Sequence, residues 1–217
     1  MIKCLGNGSC VFSAGEDQEK ISLCLSVGCG RWMVRAKIFA RSKRQPSENS
    51  SDEEQSEDDD SFCTHQKGDF VLSPEEMLYI LQLHTANWMD WKEYFSLYIE
   101  KNRQLCCECF VYKFYRLKGW TVKRGCKFGA QFLLYKDSPE VEHSLFTVHI
   151  VGEGREFSEW NDLISAVRSG RQVKKVSLFV KLPKDYQYSC AKYQDLEGFE
   201  LQEILLKRWK CDGKKVK

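Results

Sequence analysis

The stretch GWTVKRGCKFGAQFLLYKDSPEVEHSLFTVHIV, residues 119–151, decides the fold. Three runs within it, Trp120–Arg124, Phe128–Lys136 and Ser144–Val151, are rich in β-branched and aromatic residues and are separated by turn residues, so they read as strands of one sheet. Upstream, the spacing predicts a helix from about Gln104 to Lys118, ended by Gly119. Downstream, Phe157–Ser169 returns to helical spacing with Trp160, Leu163, Ile164 and Val167 on one face, and Val176–Leu182 reads as a further strand. The order helix, three strands, helix, strand gives a compact domain of the α+β or α/β class over 104–183, a mixed sheet flanked by helices.

The chain in front of this domain changes character twice. Ser73-Pro74-Glu75-Glu76 is a capping box with Pro at the first helical position, and it leads into the helix MLYILQLH; a second helix is expected from about Asp90 to Lys101. Residues 70–103 thus form a helical region. Residues 46–61 (PSENSSDEEQSEDDDS) carry acids and serines but no large apolar group, so nothing there offsets the entropy of ordering, and 46–69 is expected to be a disordered linker. Residues 1–45 hold short apolar stretches, ISLCLSV and RWMVRAKIFA, broken by glycines, a pattern of short strands and turns. The tail 184–217 contains FELQEILLKRW, which fits helix and strand equally by period.

Composition bounds the function. With 217 residues and 42% hydrophobic content, the chain can build one ordinary core or two small ones. No run approaches the length of a membrane span, and MIKCLGNGSC lacks the layout of a signal peptide, so a reducing intracellular home is expected. Eleven cysteines in such a chain read as thiols. Cys106, Cys107 and Cys109 lack the second spaced pair that a zinc site uses, and buried helix thiols are expected there, with no metal or other cofactor. Net charge is only +2, but it is polarised. Residues 1–100 hold 10 Lys+Arg against 17 Asp+Glu and 101–217 hold 23 against 14, about −7 and +9. A basic half with interleaved aromatics suits a polyanion.

Three residues of that half can move protons and stabilise charge. Tyr135 ends one strand, Asp137-Ser138-Pro139 makes a turn, and His143 leads into the next strand, so both side chains can meet at one end of the sheet. Lys174 and Lys175 open the last strand, and one of them reaches the same edge if that strand is a neighbour. A Tyr, a His and a Lys can move protons and stabilise charge without a metal, which is what transesterification of an RNA phosphodiester by its own 2′-hydroxyl requires.

The run GW-x-V-(K/R)-x-G-x-KFG-x-x-F-x-x-Y, then a His before a strand, then a late Lys ahead of VSLFV, resembles the catalytic domain of the tRNA-splicing endonuclease family. The similarity covers about 105–183, and LSPEEMLYILQL (72–83) is similar to a family helix. GNGSCVFS (6–13) and ILLKRW (204–209) resemble segments of the catalytic subunit that cuts the 5′ splice site, whose final strand pairs with a neighbouring subunit. Gln131 stands where the family often has an acid.

What the resemblance implies is specific. Tyr135 is the expected general base on the 2′-hydroxyl, His143 the general acid on the departing 5′-oxygen, and Lys175, which directly precedes the strand, the cation that stabilises the phosphate. A free Tyr titrates near 10, so a base role asks for a cation beside it, and Lys175 can serve that need as well. The implied products are a 2′,3′-cyclic phosphate and a 5′-hydroxyl, made without a metal; the implied setting is a nuclear heterotetramer acting on precursor tRNA, with no membrane. Lys123, Arg124, Lys127, Arg168 and Arg171 are expected to contact the RNA backbone. Trp120 is expected in the core, and His65, His84 and His149 have no role. Two rivals are a non-catalytic structural subunit of the same complex and a single-stranded RNA-binding module.

Overall fold

A computed structural model describes residues 3–13, 17–32, 69–83, 88–151, 160–172, 175–184 and 186–206. Its centre is one helix, α4 (Arg103–Leu117), which buries side chains nearly all the way round: Cys106, Cys107, Glu108, Cys109, Phe110, Val111, Tyr112, Lys113 and Tyr115. Asn102 caps it through a bond from Leu105 N, and Gly119, at φ +86°, turns the chain away at its end. A helix apolar on every face must be covered from every side. Two layers do so.

On one side lies the N-terminal layer. Strands β1 (Lys3–Cys4), β2 (Cys10–Phe12), β3 (Arg31–Trp32) and β4 (Phe70–Leu72) form an antiparallel sheet in the order β1-β2-β4-β3, joined by α1 (Gln18–Ser26), α2 (Pro74–Leu83) and α3 (Trp91–Tyr94), which runs on as a π-helical turn, Phe95–Ile99. The carboxylate half of the expected capping box is present, Glu76 accepting from Ser73 N, while Ser73 Oγ donates to the same carboxylate. Two sequence expectations change. ISLCLSV lies mostly in helix α1, because Ile21 and Cys24, three apart, reach the core together. β4 pairs with both β2 and β3, so the segments flanking the acidic stretch build one sheet. Residues 33–68, which include that stretch and His65, lie outside the described residues, as does His84.

On the other side lies a five-stranded sheet, β5 (Thr121–Arg124), β6 (Phe132–Tyr135), β7 (Phe146–Val151), β8 (Val176–Lys181) and β9 (Gln202–Leu206), in that order, with only β7 and β8 parallel. Helix α5 (Trp160–Gln172) makes the crossover between them and packs on β8, as a parallel pair requires. The expected strand over 128–136 is shorter: Cys126–Phe128 is a 3-10 turn ended by Gly129 at φ +66°. The ambiguous tail supplies helix α6 (Cys190–Asp195) and edge strand β9, so the sheet is completed beyond residue 183. Tyr186, Tyr188, Tyr193 and Phe199 of the tail gather round Phe110 of α4 at ring separations of 5.1–5.8 Å.

The layers are joined by charge. Arg124, on β5, makes a bidentate pair with Glu75 of α2 (2.5 and 2.6 Å) and donates to Glu108 of α4 (2.6 Å). Beside it, Lys123 donates to Glu76 (3.2 Å) and to Gly30 O (2.8 Å). Burial works against the charge on Arg124, but the two carboxylates outweigh it and raise its pKa. Glu75 is 1% exposed, so a lone charge there is costly. We expect Arg124→Met to lower stability by about 3 kcal/mol in urea unfolding. Lys192→Met, which breaks the surface pair with Glu197, should change it by less than about 0.5 kcal/mol.

Candidate active site

Strand direction gathers the three residues proposed for chemistry. β6 runs antiparallel to β7, and β8 runs parallel to β7, so the end of β6 and the starts of β7 and β8 share one end of the sheet. Tyr135 is the last residue of β6, His143 lies three residues before β7, and Lys175 directly precedes β8. Face parity agrees: Tyr135 alternates with Leu133, which is opposite Thr147, which is opposite Ser177, two residues after Lys175.

Local bonds hold the chain in this shape. After Tyr135, Ser138 O accepts from Val141 N and Glu142 N (both 3.1 Å) and Ser138 Oγ accepts from Glu140 N, so the Asp-Ser-Pro turn reverses the strand; Leu145 N then returns to Leu134 O. This leaves His143 exposed and Tyr135 half-buried. Lys175 Nζ donates to Ser144 O at 3.1 Å, and Val176 N donates to Leu145 O at 3.1 Å, so the start of β8 is fastened to the histidine loop. The Lys175 ammonium also stands 5.4 Å from the centre of the Phe128 ring. Burial lowers its pKa.

The cations proposed for RNA divide into two groups. Lys127, on the 3-10 turn, and Arg168, on α5, are exposed, and α5 packs against that turn. Lys123 and Arg124 instead point into the ion pairs between the layers, where their charge is neutralised within the fold, so they are withdrawn as backbone contacts. The side chain of Arg171 and all of Lys174 lie outside the described residues. Trp120 packs edge-on against Phe146 at 5.6 Å, on the margin of the core. Cys106 and Cys109 are buried in α4, Cys106 donating to Tyr188 O, and among the described residues no three metal-ligating side chains converge. No helix among them is long and apolar enough to cross a membrane.

Two neighbours of Lys175, Phe128 and the Ser144 carbonyl, were not singled out from sequence. A ring face and a main-chain oxygen leave no spacing signal. Gln131 serves the sheet itself, since its Oε1 accepts from Ile150 N at 2.9 Å and extends the β6–β7 pairing.

The profile of the family described as tRNA intron endonuclease, catalytic C-terminal domain, matches residues 105–188, which hold all three residues and the loop between them. A tRNA-splicing endonuclease of Thermococcus onnurineus is 30% identical over 124 residues, covering 54% of this chain and 71% of the relative. The chain belongs to the tRNA intron endonuclease family. It is also similar to the probable tRNA-splicing endonuclease subunit Sen2 of Oryza sativa subsp. japonica, 32% identical over 162 residues, 68% of this chain and 55% of the relative. The tRNA-splicing endonuclease subunit SEN2 of Saccharomyces cerevisiae is 32% identical over 108 residues, 46% of this chain and 28% of the relative. The chain thus spans about half the length of the rice relative and less of the yeast one.

Behind the site, this family member buries a histidine. His149 is 3% exposed, stacks on Phe179 at 4.9 Å, and its Nε2 meets no hydrogen-bond partner among the described residues. Burial lowers its pKa to about 4. A histidine in the unfolded chain titrates near 6.5, so between about pH 6.5 and pH 4 the unfolded state binds a proton that the folded state refuses, and acid destabilises the fold. We expect the wild type to lose about 2 kcal/mol more than His149→Phe when urea unfolding is compared at neutral pH and near pH 4.5.

Proposed function

We propose that this chain is the RNA-cleaving subunit of a tRNA-splicing endonuclease, cutting precursor tRNA at an intron boundary, the 5′ splice site, within a nuclear heterotetramer. The observation that carries the reading is the Lys175 to Ser144 bond, which ties the lysine to the histidine loop at the sheet end where Tyr135 emerges. The printed names of the rice and yeast relatives, both subunits of such an enzyme, favour an assembly over a lone chain. The outer edge of β9 is where a partner can add a strand: Ile204 and Leu205 are 46% and 40% exposed there.

The chemistry balances with these groups alone. Tyr135 takes the proton of the 2′-hydroxyl; the freed oxygen attacks the adjacent phosphorus; the bond from phosphorus to the 5′-oxygen breaks; His143 supplies the proton that this oxygen needs to leave. The 2′,3′-cyclic phosphate and the 5′-hydroxyl follow. Lys175 faces the charge that grows on the non-bridging oxygens. Exposed Lys127 and Arg168 lie on elements that pack together, where they can meet the RNA backbone.

The test is cleavage of an intron-containing precursor tRNA by this chain co-expressed with its partner subunits, with and without chelator. His143→Ala should lose one of the two cuts by at least about 10²-fold, leaving the other intact. The wild type should give cyclic-phosphate ends that chelator does not diminish. If the mutant makes both cuts at the normal rate, the chain is a structural or RNA-binding subunit.

A further inference from the structure

Lys175 needs more than its own chain to stay in place. A lysine side chain has rotamer entropy to lose on being held, and burial acts against its charge. Two groups on other segments meet its ammonium: the Ser144 carbonyl, which accepts one of its three N–H bonds, and the face of Phe128, with 5.4 Å from nitrogen to ring centre. That separation is inside the roughly 6 Å reach of a cation–π contact.

The ring is held by backbone rather than by chance packing. Phe128 ends the 3-10 turn, and Phe128 N donates to Gly125 O at 2.8 Å. Gly125 N donates to Gln131 O, and Ala130 N returns to Gly125 O, closing the loop. A Cβ on Gly125 would stand 3.0 Å from the carbonyl oxygens of Ala130 and Phe132, so a side chain there would force those carbonyls to give by a few tenths of an ångström. Gly129, at φ +66°, lets the chain leave at once towards β6. Of the two side chains that flank the turn's end, Lys127 is exposed and Phe128 is half-buried.

Building on the reading above, we infer that Phe128 is a positioning residue: its ring, with the Ser144 carbonyl, fixes the Lys175 ammonium so that its remaining N–H donors face the phosphate. Phe128 touches neither the RNA nor the transferred protons. It acts through the lysine; the other titratable groups on the described segments at this sheet end are Cys126 and Lys127 on the turn and Tyr135, Lys136, Asp137, Glu140, Glu142 and His143 along the loop, with Arg168 on α5 beside the turn.

The experiment uses the co-expressed complex and single-turnover cleavage of precursor tRNA over neutral to alkaline pH. Phe128→Leu, which keeps apolar bulk and removes the π face, should slow the cut by about tenfold with little change in half-saturating substrate. Its alkaline limb should move to lower pH, because a lysine without the ring gives up its proton sooner. Phe128→Tyr should stay within about twofold of wild type with an unshifted limb. Should the leucine variant fold poorly, phenylalanines at 128 bearing successive ring fluorines keep the shape while draining the π face, and the rate should fall with each fluorine. A leucine variant that cuts like wild type, a loss equal at every pH, or fluorinated rings without a trend overturns the inference. Lys175→Ala separates the two levels. If it is inactive while Phe128→Leu is normal, only the positioning role falls; if it cuts normally, the lysine assignment falls and takes the inference with it.

Discussion

Everything in this fold depends on a guanidinium held between three elements. Arg124 leaves the first strand of the mixed sheet and meets carboxylates from α2 and α4, while Lys123 beside it meets Glu76 and the Gly30 carbonyl. Glu76 also accepts from Ser73 N, Ser73 Oγ and Gly30 N, so one carboxylate closes a helix cap, anchors the start of β3 and binds a strand of the other layer. Apolar burial around α4 supplies bulk attraction without direction. The ion pairs supply the direction, because a bidentate fork fits only one rotation of the sheet against the helices.

That rotation matters to the chemistry. The candidate site needs no pocket carved into the core. It needs the ends of β6, β7 and β8 to be level with one another, and the register that sets their height runs back through β5 to Arg124. Part of the positive charge of the basic half is thus charge that keeps the sheet seated, while Lys127 on the 3-10 turn and Arg168 on α5 stay exposed.

Much of this was legible in the residues. The helix start at Ser73, the Gly119 stop and the β-rich 119–151 stretch each have a local physical cause, and each element formed within its signal, the middle strand shortened to Phe132–Tyr135 by a 3-10 turn. Tyr135 and His143 could be placed at one sheet end because a turn of Asp, Ser and Pro leaves little choice. What failed to show has equally physical reasons. The short apolar run ISLCLSV, set between glycines, read as a strand, yet tertiary contact at Ile21 and Cys24 chose a helix. The inward turn of Lys123 and Arg124 was hidden because their acids lie 16 to 49 residues away. β9 was ambiguous because an edge strand with an exposed face has no buried alternation to betray it.

The pairing of β4 with β2 and β3 joins residues on both sides of the acidic stretch. Trp32 and Phe70, which flank it in sequence, are therefore held opposite each other in one sheet. Loop closure costs only about 0.6 kcal/mol for each doubling in length, so chain added or removed between Trp32 and Phe70 would leave the strand register, the Arg124 clasp and the sheet end unchanged. The fold thus has a place where sequence can drift in length and composition, under selection for new regulation or new contacts, while the geometry of the candidate site stays fixed.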